Sequence, residues 1–273
     1  SMLRERGYDV SVVLYYDKPF YKSILDAAGI ESIVVKNTNY IGRIWSMYKY
    51  FRKNKGATII AYQETPSLIS CLLRPFIKCS KLIVSERNTT QLISKADRVR
   101  FWLWRFADVI VPNSYSQANF IATHVPQMKH KVVTITNFVD TQVFALVPKD
   151  DNALKNDILV VASDKNEKNF QGVLGAVKIL KHRGLNFHLN WYGIRSDKLE
   201  SFKREVSEAG VADVMDVYLP SVNIKEEYQK SDLFCLPSFF EGFPNVLCEA
   251  MSCGLPVACS RVCDHPYMVK DGV

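Results

Sequence analysis

The sequence lacks the features that define several large classes of protein. No apolar run approaches the roughly 20 residues that a membrane-spanning helix needs. The longest runs, at Leu159–Ala162 and Val257–Cys259 with their neighbours, have the length of a strand. No Cys-x-x-Cys pair occurs and the number of cysteines, seven, is odd, which argues against a zinc ribbon and a disulfide framework. Because the chain opens on charged Arg4, Glu5 and Arg6, we expect no signal peptide.

Two phosphate-binding fingerprints are absent as well. The chain contains neither Gly-x-Gly-x-x-Gly nor Gly-x-x-x-x-Gly-Lys-Ser/Thr, so a dinucleotide-dependent oxidoreductase and a P-loop NTPase lose their main support. No nucleic-acid recognition motif accompanies the net charge of +7. That charge therefore favours a nucleotide or an anionic membrane surface as partner, and we expect no nucleic acid.

What is present is the composition of an ordinary globular protein. The 273 residues are 48% hydrophobic and 23% charged, and a chain of this length predicts about two domains. Most of the cysteines lie inside apolar stretches, as the reduced thiols of cytoplasmic proteins do. We therefore expect a cytoplasmic protein with sizeable buried cores.

Short apolar runs alternate with stretches of helical period, which is typical of an α/β protein with doubly wound parallel sheets. The pattern predicts strands at 9–16, 32–36, 57–63, 81–86, 108–112, 131–136, 158–162, 188–192, 215–219, 233–237 and 256–260. It predicts helices at 20–28, 41–53, 116–123, 170–182, 198–209, 224–230 and 245–252. The alternation breaks at Thr141–Asn156, which we interpret as a linker between domains 1–148 and 149–273.

The segment 231–260 carries the strongest chemical signal. A predicted strand there ends in a loop with Gly242 and Pro244, and a helix begins near Asn245. Ligands of α/β sheets bind outside the carboxyl ends of strands, and the free N–H groups of a helix start favour an anion such as a diphosphate. Glu241 on the loop and Glu249 inside the helix can then address two parts of one ligand by accepting hydrogen bonds.

These residues resemble a known motif. The stretch Glu241–Glu249 (EGFPNVLCE) resembles the E-x7-E motif of the retaining family 4 glycosyltransferases, and residues 111–114 (VPNS), 135–144 and 168–180 resemble further motifs of that family. The resemblance implies the GT-B fold, with two Rossmann-like doubly wound parallel-sheet domains facing a cleft. It implies an acceptor-side domain at 1–148 that lacks its first strand. It also implies a nucleotide-sugar-binding domain at 149–273 that lacks its last helices.

The resemblance also implies roles for individual residues. Glu249 would hold the ribose hydroxyls of a nucleotide-sugar, Glu241 would lie beside the transferred sugar as the catalytic residue, and Lys168 would pair with the diphosphate in place of a metal. Gly193, Leu219 and Pro220 would edge the nucleobase pocket. The donor sugar and diphosphate would face the loop and helix start, formed by Gly242, Phe243, Pro244, Asn245, Val246 and Leu247.

The sequence departs from the family pattern in places. Ser163 stands where the family commonly has an Arg whose positive charge binds the diphosphate. The uncharged Ser163 cannot replace that positive charge. The His that often ends the fourth strand is absent, so Glu86 or Arg87 could serve the cleft instead, although a structural ion pair explains these residues equally well. Lys168 could likewise be an exposed surface lysine, and Glu241 and Glu249 solvated carboxylates.

Two segments mix cations with aromatic residues, at 41–55 and 98–105. Each could present a face to anionic lipid headgroups, or could be a helix that packs its aromatic side on the sheet and keeps a solvated basic side.

Together these features predict a glycosyltransferase that acts with retention and without a metal or other cofactor. We expect it to move a sugar from a nucleotide-sugar, most readily a UDP-sugar, to a glycan or lipid-linked acceptor in surface polysaccharide biosynthesis. It would be cytoplasmic and peripheral on the inner face of the membrane. We expect this chain alone to be impaired in catalysis. Two alternatives are a non-catalytic nucleotide-sugar-binding subunit and a sugar-nucleotide epimerase.

Overall fold

A computed structural model describes residues 2–15, 22–35, 39–87, 93–148 and 156–272. The chain packs as two compact units. The first comprises Ser1–Pro112 and Phe120–Val133, and the second comprises Asn113–Asn119 and Thr134–Val273. Parts of the predicted elements, at residues 16, 20–21 and 36, and part of the predicted linker, at 149–155, lie outside the described residues.

The first unit alternates short parallel strands with helices. In chain order the elements are α1 (Met2–Glu5), β1 (Ser11–Leu14), α2 (Lys22–Ala27), β2 (Glu31–Val34), α3 (Tyr40–Lys53), β3 (Thr58–Tyr62), α4 (Glu64–Leu73), β4 (Lys81–Glu86), α5 (Lys95–Leu103), β5 (Val109–Pro112) and α6 (Tyr115–His124). Strands β1 and β2 pair in parallel, and β3, β4 and β5 form a separate parallel sheet in that order. Residues 115–119 of α6 pack with the second unit.

Two apolar clusters hold the first unit together. One joins β1 and β2 to α3 and α4, and the other packs α4, α5 and α6 against the three-stranded sheet. Helix α5 begins where Ser94 and Asp97 form a capping box, in which each side chain accepts a hydrogen bond from the backbone N–H of the other residue.

The second unit is a five-stranded parallel sheet covered by helices. Its elements are β6 (Asp157–Val161), α7 (Phe170–His182), β7 (His188–Tyr192), α8 (Leu199–Glu208), β8 (Met215–Tyr218), α9 (Ile224–Lys230), β9 (Leu233–Leu236), α10 (Asn245–Ser252), β10 (Val257–Cys259) and α11 (His265–Met268). The strand order is β10-β9-β6-β7-β8. Apolar clusters cover both faces of this sheet, as expected for a parallel sheet.

The predicted strands and helices of the second unit match those observed within a residue or two. In the first unit the prediction of a strand at 131–136 is wrong. Pro126 starts a 3₁₀ helix that runs to Lys131, and Val132 forms only an isolated bridge with Ile110. Helices α4 and α5 also lie between predicted strands, where the alternation of strands and helices predicts a helix.

The division between the units lies upstream of the predicted boundary after residue 148, because residues 134–148 pack with the second unit. The Phe144 ring meets the edge of Tyr228 with ring centroids 5.9 Å apart. The Phe144 carbonyl accepts a hydrogen bond from the Ser252 hydroxyl, and the Ala145 carbonyl accepts one from Gln229 Nε2 at 3.0 Å.

Candidate functional site

The carboxyl ends of β6, β7, β8 and β9 lie at one edge of the parallel sheet, where α/β proteins bind ligands. Two of the loops at this edge are hydrogen-bonded to each other. The Phe239 N–H donates to the Glu167 carbonyl at 2.8 Å, and Asn169 Nδ2 donates to the Pro237 carbonyl at 3.0 Å. The loops after β6 and β9 are therefore fixed relative to one another within this unit.

Asn169 has a second structural task. It adopts the left-handed conformation, with φ of 59°, and its side-chain oxygen accepts from the Gly172 N–H at 3.1 Å, which caps α7. Asn tolerates this conformation better than most residues. The cap holds the preceding residue, Lys168, at the end of the 3₁₀ helix Asn166–Lys168.

Lys168 and Glu241 form a short ion pair. Lys168 Nζ lies 2.5 Å from Glu241 Oε1, and the two side chains are only 19% and 10% exposed. The Ser238 hydroxyl donates to the same carboxylate oxygen at 2.7 Å. Lys168 is therefore not an exposed surface lysine, and Glu241 is not a solvated carboxylate. The structure brings together two residues that lie 73 positions apart in the sequence.

Glu249 is held by a buried tyrosine. Tyr228 of α9 is fully buried, and its hydroxyl donates to Glu249 Oε2 at 3.0 Å. Burial raises the pKa of Glu249, and the hydrogen bond from Tyr228 acts in the opposite direction. Burial and the neighbouring Glu249 also raise the pKa of Tyr228, which keeps its phenol protonated as the donor. Sequence reasoning missed Tyr228, because no local pattern relates it to Glu249.

Helix α10 begins between these two carboxylates in the sequence. Its cap residue, Pro244, makes no side-chain cap to the first N–H groups, and the first turn carries no acidic residue. A helix start of this kind favours an anion. Asn245 is exposed, and its Oδ1 accepts from Asn137 Nδ2 at 2.8 Å.

The remaining predicted residues of this segment differ in burial. Gly242 and Phe243 are half-buried on the loop, whereas the side chains of Pro244 and Leu247 are buried. Leu247 belongs to the apolar cluster beneath the helix, and Val246 packs against that cluster. Leu247 can therefore contact a ligand through its backbone but not through its buried side chain.

Gly193 follows β7 at a position that only glycine fits. Its φ is +121°, and an added Cβ would collide with the Ala162 carbonyl at the end of β6. The Trp191 indole N–H donates to the same carbonyl at 2.9 Å. Leu219 and Pro220 are exposed just after β8. These residues lie at the same sheet edge as Lys168 and Glu241.

Two cations near Ser163 were missed from the sequence. Ser163 is half-buried, and the next side chain, Asp164, is only 3% exposed. The Arg195 guanidinium donates to both oxygens of Asp164 at 2.9–3.1 Å, and Lys198 Nζ lies 3.6 Å away. The hydrogen bonds from Arg195 hold the pKa of Asp164 below its usual range. Asp164 and Lys198 also line a cavity of about 450 Å³ beside Asn169 and Phe239.

Known proteins resemble this chain in sequence over its second part and in fold over most of its length. Residues 147–273 match the family described as glycosyl transferases group 1. Over these residues the chain is similar to glycosyl transferases of group 1. HepE of Anabaena, solved in complex with UDP, aligns with a TM-score of 0.82 at 17% identity, over 98% of this chain and 78% of HepE. The likeness confirms the predicted α/β class and GT-B fold.

Two curated relatives carry names from polysaccharide and glycan assembly. The first is the N-acetylgalactosamine-N,N'-diacetylbacillosaminyl-diphospho-undecaprenol 4-alpha-N-acetylgalactosaminyltransferase of Campylobacter jejuni, 25% identical over 80% of this chain and 60% of its own length. The second is the O-antigen chain mannosyltransferase B of Escherichia coli, 29% identical over 41% of this chain and 30% of its own length. The chain thus spans less than two thirds of the length of either relative.

No metal site is evident among the residues that the structure describes. Within the ranges that the structure describes, no three His, Cys, Asp or Glu side chains are grouped in a way that could hold a metal ion. The expected metal independence stays a prediction. None of the described helices has the length and apolar character to span a bilayer.

Glu86 and Arg87 belong to the first unit and lie outside the residues that match the family model. Glu86 is 4% exposed at the end of β4 and pairs with Arg100 at 3.4 Å. Arg100 also pairs with Glu64 and with Asp97, each at 2.8 Å. The Arg87 guanidinium lies over the Tyr62 ring, 5.2 Å from its centroid. Glu86 is therefore held in a structural ion pair with Arg100, and a site role for either Glu86 or Arg87 stays a prediction.

Proposed function

We propose that the protein transfers a sugar from a nucleotide-sugar, most readily a UDP-sugar, to a glycan or lipid-linked acceptor with retention, in surface polysaccharide biosynthesis. One observation carries the proposal. The carboxyl ends of β6 and β9 bring Lys168 Nζ within 2.5 Å of Glu241, on the loop that leads into α10, and α10 carries Glu249.

Glu249 would bind the ribose of the donor. Tyr228 occupies one oxygen of its carboxylate, Oε2, and among the described residues none donates a hydrogen bond to Oε1. Oε1 can therefore accept a hydrogen bond from a sugar hydroxyl, and carboxylates bind hydroxyl groups with high specificity. The fixed position of Oε2 means that little side-chain entropy is lost when the ribose binds.

Lys168 and the start of α10 would bind the diphosphate. Negative charge develops on the diphosphate as it leaves the sugar, and fixed cations and helix N–H groups stabilise that charge without reorganising. Arg195 is a further cation at the same sheet edge, with a side chain that is 59% exposed beside Asp164. We propose that it supplies part of the charge that Ser163 does not.

Glu241 would lie beside the transferred sugar. Its carboxylate already accepts hydrogen bonds from Lys168 and Ser238, so its position is fixed before the donor arrives. A fixed negative charge next to the anomeric carbon stabilises the positive charge that this carbon gains as the bond to the diphosphate breaks. The UDP in the HepE structure and the diphospho-undecaprenol in the name of the Campylobacter relative support these donor and acceptor classes.

We also propose that the first unit associates with an anionic membrane surface. On α3, Met47 and Phe51 are buried, whereas Trp45 is exposed with Lys49 Nζ 5.4 Å from its ring centroid. On α5, Trp102 is exposed with the Arg105 guanidinium 4.2 Å from its ring centroid. Exposed aromatic rings beside cations are suited to the interface of anionic lipids. Co-sedimentation with phosphatidylglycerol vesicles and not with phosphatidylcholine vesicles is expected. Equal recovery with both would contradict the proposal.

A panel of nucleotide-sugars tests the donor assignment. A ligand that binds the folded state raises the melting temperature, and we expect UDP-sugars to give the largest rise. The donor so identified is then incubated with the full-length protein and lipid-linked acceptors. Sugar transfer supports the proposal, and an epimerised donor formed without acceptor would replace it with the epimerase. Donor binding without hydrolysis or transfer would replace it with the non-catalytic subunit.

A further inference from the structure

The segment after β10 buries polar side chains that the proposed donor site does not use. Asp264 and His265, at the start of α11, are each only 1% exposed. Buried polar groups of this kind cost stability unless their hydrogen bonds are made. Their partners therefore indicate why they are buried.

His265 begins a series of hydrogen bonds that ends at Glu241. His265 Nδ1 donates to the Ser260 carbonyl at 2.6 Å, since a carbonyl can only accept. The Ser260 hydroxyl donates to the Ser238 carbonyl at 2.5 Å. The Ser238 hydroxyl donates to Glu241 Oε1 at 2.7 Å. Three hydrogen bonds through two serines thus connect a buried imidazole with the carboxylate proposed to face the sugar.

The same segment contacts the Glu241 loop a second time and is itself anchored. Cys263 Sγ accepts from the Glu241 N–H at 3.4 Å. Asp264 accepts from the N–H groups of Tyr115 and Ser116, each at 2.7 Å, and so caps the start of α6 with a carboxylate. The segment is therefore anchored by Asp264 and contacts the Glu241 loop through Cys263.

We propose that His265 is a positioning residue for Glu241, acting through Ser260 and Ser238. The inference rests on the proposed function, because it assigns to Glu241 the position that sugar transfer needs.

The surroundings of the imidazole favour this role over simple packing. Nε2 is buried and makes no hydrogen bond with any part of the chain that the structure describes. A leucine would fill this space without burying an unpaired nitrogen. The donation from Nδ1 is therefore the property that distinguishes His265 from an apolar residue. This bond needs a ring that carries a proton on Nδ1.

Variants of His265 separate positioning from packing. His265→Leu keeps much of the volume and removes the donor, and we expect a kcat lower by about tenfold or more, since small misplacement of a reacting group is costly. The KM for the donor is expected to stay unchanged, because Lys168 and Glu249 remain. His265→Asn places an amide N–H close to the position of Nδ1, and we expect it to keep most of the wild-type kcat.

A pair of serine variants provides the control. Ser260→Ala breaks the series at its second bond, whereas Ser252→Ala removes a comparable hydrogen bond from a serine hydroxyl to the Phe144 carbonyl in the same unit. Only Ser260→Ala is expected to lower kcat. If Ser260→Ala and His265→Leu leave kcat unchanged while the wild type transfers sugar, the inference is overturned and the proposed function stands. If the wild-type protein neither binds nor turns over any nucleotide-sugar, the proposed function itself fails.

A measurement that needs no variant covers the case in which His265→Leu does not fold. Nitrogen-15 spectra of the wild-type imidazoles are expected to show His265 protonated on Nδ1. A ring protonated on Nε2 alone would overturn the inference, because it could not donate to the Ser260 carbonyl.

Discussion

Replacing Tyr228 by Phe isolates the hydrogen bond that orients Glu249. The variant keeps the buried ring, which packs with its centroid 5.6 Å from that of Phe234, and removes only the hydroxyl that donates to Glu249 Oε2 at 3.0 Å. The half-buried Glu249 carboxylate then loses this hydrogen-bond donor, and water can replace the lost hydroxyl only in part.

The size of the effect follows from the charge of the acceptor. A hydrogen bond to an ionised group contributes about 1.5–3 kcal/mol to stability. Because Glu249 is only half-buried, we take the lower part of this range, about 2 kcal/mol, which lowers the melting temperature of a unit of this size by roughly 4–8 °C.

The pH dependence has a definite sign. The hydrogen bond from Tyr228 lowers the pKa of Glu249 against the effect of burial, so Tyr228→Phe raises this pKa further. Between the two pKa values the variant carboxyl is protonated and the wild-type carboxyl is ionised. The variant binds more protons when folded, so the stability lead of the wild type grows as the pH rises through this window and shrinks as the pH falls.

Differential scanning calorimetry at several pH values measures this prediction. Tyr267→Phe is the matched control, because Tyr267 is exposed on α11 and its variant loses only a solvated hydroxyl. Equal melting temperatures for Tyr228→Phe and the wild type near neutral pH would refute the reasoning. A stability difference that is largest at low pH would refute the assigned sign.

Three further predictions address the donor site and its loops. Lys168→Met is expected to raise the dissociation constant of UDP by roughly tenfold or more, as measured by titration calorimetry. Lys165→Met, at an exposed lysine of the same loop, is expected to leave this constant unchanged. Equal effects of the two variants would contradict the role of Lys168 in binding the diphosphate. Gly193→Ala is expected to lower the free energy of unfolding by about 3 kcal/mol, and Gly175→Ala, in open space on α7, to raise it by about 0.5–1 kcal/mol in urea unfolding. A Gly193→Ala protein with the free energy of unfolding of the wild type would contradict the strain predicted at position 193. Sugar transfer is expected to survive removal of metals by a chelator, and strict dependence on manganese would be the opposite result.

The elements and the carboxylate pair were accessible from the sequence because they depend on local pattern. Glu241 and Glu249 lie eight residues apart across one loop and the first turns of α10, so their spacing carries the signal. The strand periods of the second unit are equally local. At 131–136 the structure has the last residue of a 3₁₀ helix, Lys131, followed by an isolated bridge at Val132, and the apolar period of the sequence does not distinguish this arrangement from a strand.

The partners of the site residues were not accessible, because they come from distant parts of the chain. Tyr228 lies 21 positions from Glu249, and Arg195 lies 31 positions from Asp164. Which side chains meet at a sheet edge depends on strand order, and a single sequence does not specify that order.

Binding of UDP to Glu249 variants tests the central claim most directly. We expect titration calorimetry to show that the wild-type protein binds UDP and that Glu249→Ala raises the dissociation constant by about tenfold or more. Glu208→Ala, at an exposed carboxylate on α8, is expected to bind as the wild type does. Absence of UDP binding by the wild type, or an affinity that Glu249→Ala leaves unchanged, would contradict the account.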